Sequence, residues 1–522
     1  MNVFWLTVGA AGLAVGYAMQ MVRWLRVLQR EHYEPASMVR FWRRWTWPSL
    51  RDATVGTLRR YRPLTLSYVL WCTFPAAAVV AIFGHSVVVF VVDAVLYGVL
   101  CPWGLTPRGR TGALQWTRRA RTVAAVGLLT SLIVAAVGVL LREGLFFGSL
   151  AVWIVPFTLA TAARIVMPWE SRLAGKFVAR ATLRLARVHP TVVAITGSYG
   201  KTSTKNHLAD LLGGDGGVVA TPKSFNNRAG LSRAINENLA DDTRVFVAEM
   251  GTYGPGEIRD LCEWCVPDIA VITAIGPVHL ERMKNLEVIE AAKFEITERA
   301  GTVVVNIDDP RLAQWPSRLT QRVRTAGSMS LAADVRVAAQ GGRWHVWVDG
   351  EDVAEMESML GVQPTNVACA VAAALEVGAL PSELTRRLSA VRAVANRATV
   401  STAASGVVVV DDTFNANPAS ARASLDVLGS LSVIGRRVVV TPGLIELGAK
   451  QYHENEGLAR EVALRGFELA IVGRTNVGAL WAGFGSDPRR FKVRDDAVAW
   501  VRESLVAGDA VLYLNDLPDQ YP

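Results

Sequence analysis

The segment Thr191–Leu208, TVVAITGSYGKTSTKNHL, places Gly197, Gly200, Lys201 and Thr202 at a spacing suited to holding phosphate. An apolar stretch ends in a glycine turn, and a polar helix starts at Lys201. Glycines let backbone N–H groups close on an anion, and the helix N-terminus adds partial positive charge. Lys201 is set to neutralise outer phosphates and Thr202 to hold Mg2+. The full Walker pattern requires a glycine at 195, where this chain has Ile195, so the loop is a shortened form. Gly197, Ser198, Gly200, Lys201, Thr202 and Ser203 are the candidate nucleotide-binding residues.

Other polar residues recur at the ends of apolar stretches. Asn226 and Asn227 lie in TPKSFNNRAGLS, Glu249 ends VFVAE, and His279 follows PDIAVITAIGPV. Lys293 lies in EAAKFEI, and Asn306 and Asp308 close VVVNIDD. Taken singly, Glu249 could cap a helix, His279 could sit in a turn, and Lys293 could be a solvated helix lysine. Strands that end in polar residues, with helices between them, predict a parallel sheet whose site lies at the strands' carboxyl edge. Val335–Val353 alternates around Gly-Gly and Asp-Gly turns and reads as a β-hairpin.

These motifs, in this order, resemble the Mur ligases of bacterial cell-wall synthesis, and within that family the branch that adds D-alanyl-D-alanine. Thr196–Lys205 matches the family's phosphate loop, with Tyr199 where members usually carry Asn. Asn226-Asn227, Glu249-Met-Gly, Gly256-Glu257-Ile258, Pro277-Val-His279-Leu280-Glu281 and Ala292-Lys293-Phe-Glu295-Ile296 follow. The motif Asp411-Asp412-Thr-Phe-Asn415-Ala-Asn417-Pro418 resembles the opening of the family's C-terminal domain, and Ile445-Glu446-Leu447-Gly448 with His453 completes the match. The resemblance covers about residues 188–515.

The resemblance implies ATP-dependent amide formation through an acyl phosphate. It assigns Lys201, His279 and Lys293 to catalysis and Thr202, Glu249, His279 and Lys293 to two Mg2+ ions. In these enzymes the lysine matching Lys293 is carbamylated, so CO2 would convert its amine into an anionic oxygen ligand of the kind hard Mg2+ prefers. Asn306, Arg397 and Asp412 would contact ATP. Asn226, Asn227, Asn415 and Asn417 would contact the substrates, an amino acid or peptide amine and a carboxylated acceptor. The expected hinge lies near Val391–Arg397.

The elements before the phosphate loop are of another kind. Five apolar runs, about Asn2–Val22, Leu64–Phe83, Ser86–Leu105, Thr122–Leu141 and Leu145–Met167, each approach the ~20 residues that span a bilayer. Residues 23–62 hold ten arginines against three acids. Lys/Arg-rich loops stay in the cytoplasm, which predicts an outside N-terminus and cytoplasmic catalytic domains in the cell membrane. The Trp/Arg stretch Phe41–Trp47 reads as interfacial, and Asp93 inside the third run is either functional or bonded to another helix. The net charge of +9 is explained by these flanks, without a basic helix or aromatic platform for nucleic acid. The five cysteines form no disulfide framework, and Cys262/Cys265, with no second pair to complete a zinc site, read as core thiols.

The expected architecture is an α-helical membrane region (1–175), a parallel-sheet P-loop-type central domain (176–395) and a smaller Rossmann-like α/β C-terminal domain (396–522). Family members begin with a domain that grips UDP and end near Lys-Gly-Ser-Arg. This chain has membrane-like helices in the first place and AVLYLNDLPDQYP in the last. The reaction type is thus expected to carry over, with an acceptor that can be lipid-linked and membrane lipids as partners. The competing readings are a polyamino-acid (poly-γ-glutamate-like) synthase, an ATP-driven membrane transporter and a non-catalytic nucleotide sensor.

Overall fold

The computed structural model describes residues 3–46, 87–102, 105, 113–213, 217–223, 225–394, 397–414 and 416–516. The chain divides into two units, one running to Leu173 and the other covering Ala174–Asp516.

The first unit is helical: Val3–Arg30, Pro35–Thr46, Val87–Leu100, Arg118–Leu140, Gly144–Trp153 and a last helix that starts at Val155. Thr117 caps the fourth helix by accepting from the Ala120 amide. That helix buries Ala120, Val123, Gly127, Ser131 and Gly138, while Leu128, Leu129, Leu132, Ile133 and Leu140 are exposed. Small residues face its neighbours and large apolar ones face away. Close approach recurs between the first and third helices, where a Cβ on Gly98 would lie 2.5 Å from Gly16 Cα. Buried polar side chains bridge the pair: Gln20 Nε2 donates to Cys101 O at 2.6 Å, and Arg23 donates to Gly98 O and Cys101 O at 2.8 Å. They cap carbonyls at the end of helix Val87–Leu100 that have no helical partner.

Among the described residues, Arg118–Leu140 alone is long and apolar enough to cross a membrane, or two spans exist if Phe146–Trp153 and Val155–Val188, bent by 68°, form one. The expected run Leu145–Met167 is therefore broken at Ile154. The run Leu64–Phe83 lies outside the described residues, as do the Asp93 side chain and Trp47.

In the second unit, β1 (Thr191–Thr196), β2 (Val218–Ala220), β3 (Val245–Glu249), β4 (Ile269–Ile272), β5 (Thr302–Asn306), β6 (Arg322–Gly327), β7 (Val335–Gln340), β8 (Arg343–Val348) and β9 (Glu351–Glu357) form one sheet in the order β2-β3-β1-β4-β5-β6-β7-β8-β9. Pairing is parallel from β2 through β7 and antiparallel for β7-β8-β9. The expected hairpin is thus a three-stranded meander continuing the sheet. The parallel strands carry near-continuous Val, Ile and Ala because helices cover both faces. One face packs on helix Lys201–Gly213 and the alanine-rich Pro364–Val377, the other on helices that include Arg228–Asn238 and Glu257–Trp264. Cys262 and Cys265 lie buried in the second core, and burial raises both thiol pKa values.

A second sheet orders β10 (Thr399–Thr402), β11 (Val408–Asp412), β15 (Ala510–Leu514), β12 (Arg437–Thr441), β13 (Glu468–Val472) and β14 (Arg489–Phe491). All pairs except β10-β11 are parallel. In the first sheet β1 lies between β3 and β4. The chain crosses to opposite sides of β1, so a crevice opens at its carboxyl end.

Candidate active site

The phosphate loop occupies that crevice. Gly197 (φ 154°) and Gly200 (φ 82°) adopt conformations that disfavour a side chain. A Cβ on Gly197 would overlap the Thr273 hydroxyl, and one on Gly200 the Asn366 Oδ1. The loop is tied to the segment after β4: Ser198 N donates to Ala274 O at 2.7 Å, and Ser198 Oγ donates to Gly276 O at 3.0 Å. Tyr199 packs so closely on Gly276 that any Cβ there would overlap its hydroxyl, and burial pushes its phenol up to about 12. Lys201 Nζ folds back onto Gly197 O at 2.6 Å. Burial holds its pKa below the ordinary value, opposed by Glu249 and reinforced by Arg397.

Glu249, at the end of β3, is buried and fully engaged. Its Oε2 accepts from Thr202 Oγ1 at 3.0 Å and Lys205 Nζ at 3.2 Å, and its Oε1 accepts from Asn226 Nδ2 at 3.1 Å. Thr202 and Glu249 are thus brought together, with Asn226 bonded to the same carboxylate. Lys205 was not expected there, yet it lies one turn beyond Lys201 on the same helix, at the spacing that puts two side chains on one face. Asn366 is a second residue that sequence reasoning missed. It starts an apolar helix, and only the fold brings its amide onto Gly200.

Lys293 lies in helix Leu286–Phe294 with 2% of its surface exposed. Among the described residues its amine makes no hydrogen bond or ion pair. Burial, and then the nearby Lys201 charge, hold its pKa well below the usual lysine range, against the pull of Glu295. Glu295 is itself held by the Gly256 and Arg259 amides at 2.7 and 3.1 Å.

His279 stands seven residues past Ile272 rather than at the strand's end, opening helix Leu280–Met283 with φ 52°. Its Nδ1 contacts Glu446 Oε2, and the Tyr253 ring packs edge-on at 4.7 Å. Asn306 bridges strand ends, donating to Thr273 O at 2.7 Å and accepting from Asp308 N at 3.0 Å. Arg397 donates to Phe414 O at 2.8 Å, and burial lowers its pKa against the pull of Asp412 and Glu249. Asp412 accepts from Ser424 Oγ at 2.7 Å, and burial raises its pKa against Ser424 and Arg397. Asn227 and Asn417 are helix caps, accepting from Gly230 N at 2.9 Å and from Ala419 N and Ser420 N at 2.9 and 3.0 Å. Asn415 lies outside the described residues.

Lys205 and Lys293 are buried and Lys201 and Arg397 half-buried; Lys201, Lys205 and Arg397 gather near one carboxylate, Glu249, with Lys293 near Lys201 and Asp412 beside Arg397. Such an excess of desolvated cations is a site made for a polyanion. Among the described residues no group of three or more His, Cys, Asp and Glu side chains is placed to hold a metal. Cation binding at the end of β3 would draw on Thr202, Glu249 and oxygens from bound ligands.

Comparison with known proteins agrees with this geometry. The Mur ligase middle domain model matches residues 195–375. UDP-N-acetylmuramoyl-tripeptide–D-alanyl-D-alanine ligase of Mycobacterium tuberculosis (strain H37Rv) is 32% identical over 366 residues, covering 62% of this chain and 69% of the relative. The Bacillus subtilis ligase of the same name is 28% identical over 332 residues, covering 62% and 72%. The crystal structure of a MurF ligase from Thermotoga maritima in complex with ADP shares the fold at a TM-score of 0.58 and 24% identity, covering 66% of this chain and 80% of that one. The chain belongs to the Mur ligase family and is an ATP-dependent, ADP-forming acid–amino-acid ligase of the kind that builds peptidoglycan.

Proposed function

We propose that this chain is a membrane-anchored ligase that joins an amino acid or short peptide to a carboxylated, lipid-linked acceptor. The observation that carries the reading is the set of buried cations around the phosphate loop. ATP would lie with its phosphates on Gly197–Ser203, with Lys201 neutralising the outer ones. An acceptor carboxylate oxygen bonds to the γ-phosphorus as the bond to the β-phosphate oxygen breaks, which releases ADP. The amine then bonds to the acyl carbon, the bond to phosphate breaks, and the nitrogen gives up a proton. Phosphoryl transfer of this kind depends on positioning and charge neutralisation more than on covalent help.

On this reading Thr202 and Glu249 would hold one Mg2+, and His279 with a carbamylated Lys293 would hold a second. Bound Mg2+ supplies charge neutralisation on the phosphate oxygens. The Lys293 amine suits a carbamate because it is buried, unpaired among the described residues and disfavoured as a cation, and CO2 reacts with the neutral amine. Asn306 would approach adenine, and Arg397 and Asp412 would approach from the C-terminal side. Asn226 reaches the site through Glu249, whereas Asn227, Asn415 and Asn417 would shape the substrate loops. On this reading the catalytic domains are 176–395 and 396–522, with a hinge near Val391–Arg397 whose closure excludes water from the acyl phosphate.

The inside-out burial of Arg118–Leu140 and the arginine-rich loops support the anchor, with the N-terminus outside and the catalytic domains in the cytoplasm. The relatives' names make D-alanyl-D-alanine a first amine to test. Full-length protein in lipid, given ATP, a lipid-linked peptide acid and candidate amines, is expected to release phosphate only when acid and amine are both present. Phosphate release that ignores the amine would refute the proposal.

A further inference from the structure

His279 and Glu446 are 167 residues apart, yet the imidazole Nδ1 and the carboxylate Oε2 are in direct contact. Their backbones are unusual in the same way, with φ of 52° at His279 and 62° at Glu446. Non-glycine residues in the left-handed region are uncommon, and they gather where function over-determines the backbone. His279 opens the short helix Leu280–Met283 at the large sheet, while Glu446 follows β12 in the small one. The two side chains are 29% and 26% exposed, so they are neither core ballast nor a free surface pair. A carboxylate can only accept, so Nδ1–H donates to Glu446, and in the neutral ring Nε2 is the lone-pair nitrogen. Tyr253 packs edge-on against the same ring, with the Arg282 guanidinium 4.7 Å over the tyrosine.

We propose that Glu446 is a positioning residue that fixes the tautomer and orientation of His279, so that Nε2 faces a divalent cation only when the segment after β12 lies against residue 279. This rests on the reading of His279 as a metal ligand and adds a second partner to it. Ring N–H groups of metal-binding histidines donate to carboxylates in this way, and the bond raises the basicity of the ligating nitrogen. The consequence is coupling: apposition of the two sheets completes the cation site, and the bound cation favours that apposition.

The test is Mn2+ binding with ADP present, followed by electron paramagnetic resonance on the full chain in detergent. Glu446→Ala is expected to weaken the His279-dependent class of Mn2+ by about 10- to 100-fold, with ADP affinity at the phosphate loop unchanged. Glu446→Gln, whose amide oxygen still accepts from Nδ1–H, is expected to recover most of that loss. In a His279→Ala background, Glu446→Ala is expected to add nothing. Should Glu446→Ala fail to fold, Glu446→Asp carries the same prediction, since it withdraws the oxygen by one methylene. Wild-type Mn2+ affinity in Glu446→Ala, with His279→Ala weakened, overturns this inference and leaves the metal reading standing. A Glu446→Gln variant as weak as Glu446→Ala overturns the orienting role. Unchanged Mn2+ binding in His279→Ala overturns the metal reading itself.

Discussion

Arg23 in the helical unit and Lys293 in the α/β unit are both buried cations, and they are treated in opposite ways. Arg23 donates to the carbonyls of Gly98 and Cys101 at 2.8 Å, which leaves it a structural role. Lys293 has no partner among the described residues and sits near the charge of Lys201. An uncompensated buried amine costs stability, and a fold keeps one where chemistry needs it. The same contrast runs through the helices. Pro364–Val377 buries its alanines against a β-sheet, whereas Arg118–Leu140 buries Gly and Ser and exposes Leu and Ile. One turns its small residues to a sheet, and the other turns its large apolar residues outward.

Lys293→Met separates the two roles of a buried cation most sharply. Activity is expected to fall by at least about 100-fold, in the range for removing one charge-stabilising group, while thermal stability rises because an unpaired amine is replaced by an apolar chain of similar length. In Lys293→Ala, partial rescue by short carboxylic acids would support the carbamate. The pH dependence has a fixed sign. The folded-state pKa of Lys293 is depressed below the unfolded value, so the unfolded chain binds the extra proton. Wild-type stability should therefore rise, relative to Lys293→Met, as pH climbs from the depressed value towards about 10.4. Urea melts at neutral and alkaline pH would read that slope, and parallel curves would break the contrast.

Leu132→Arg puts a charge on the outward side of Arg118–Leu140. At a bilayer centre it is expected to cost about 2.5–3.5 kcal/mol of insertion, seen as protein lost from the membrane fraction. On a helix that faces water it would cost almost nothing. Arg23→Met leaves carbonyls at the end of Val87–Leu100 without their donor and should destabilise by about 1–3 kcal/mol, against the gain expected for Lys293→Met. Asn227→Ala has the smallest expected effect, about 1 kcal/mol for a lost helix cap, with KM for both substrates unchanged. A raised KM would return Asn227 to the substrate site.

Much of the site was legible because strand ends announce themselves. Glu249 and Asn306 follow runs of Val and Ala that can only be buried parallel strands, and the loop at Gly197 carries its own chemistry. The caps went unread for a local reason: Asn227 and Asn417 each stand just before a helix, where asparagine satisfies free amides as readily as it meets a ligand. The His279–Glu446 contact and the Asn366 amide on Gly200 depend on which strands become neighbours, so no window of sequence contains them. In the helical unit hydropathy located the helices but not the break at Ile154, where one apolar run bends by 68°. An apolar run of that length reports burial in lipid or protein, and carries no signal for a bend inside it.

The central claim is a single amide bond made at the expense of ATP. It is tested most directly by the mass of the product from full-length protein in lipid, with ATP, acceptor and amine supplied together. The account predicts a product equal to acid plus amine less one water, with one ADP and one phosphate per bond. A ladder of repeated additions would indicate a polyamino-acid synthase. ATP turnover with no new covalent product, and only in sealed vesicles, would contradict the account and favour transport.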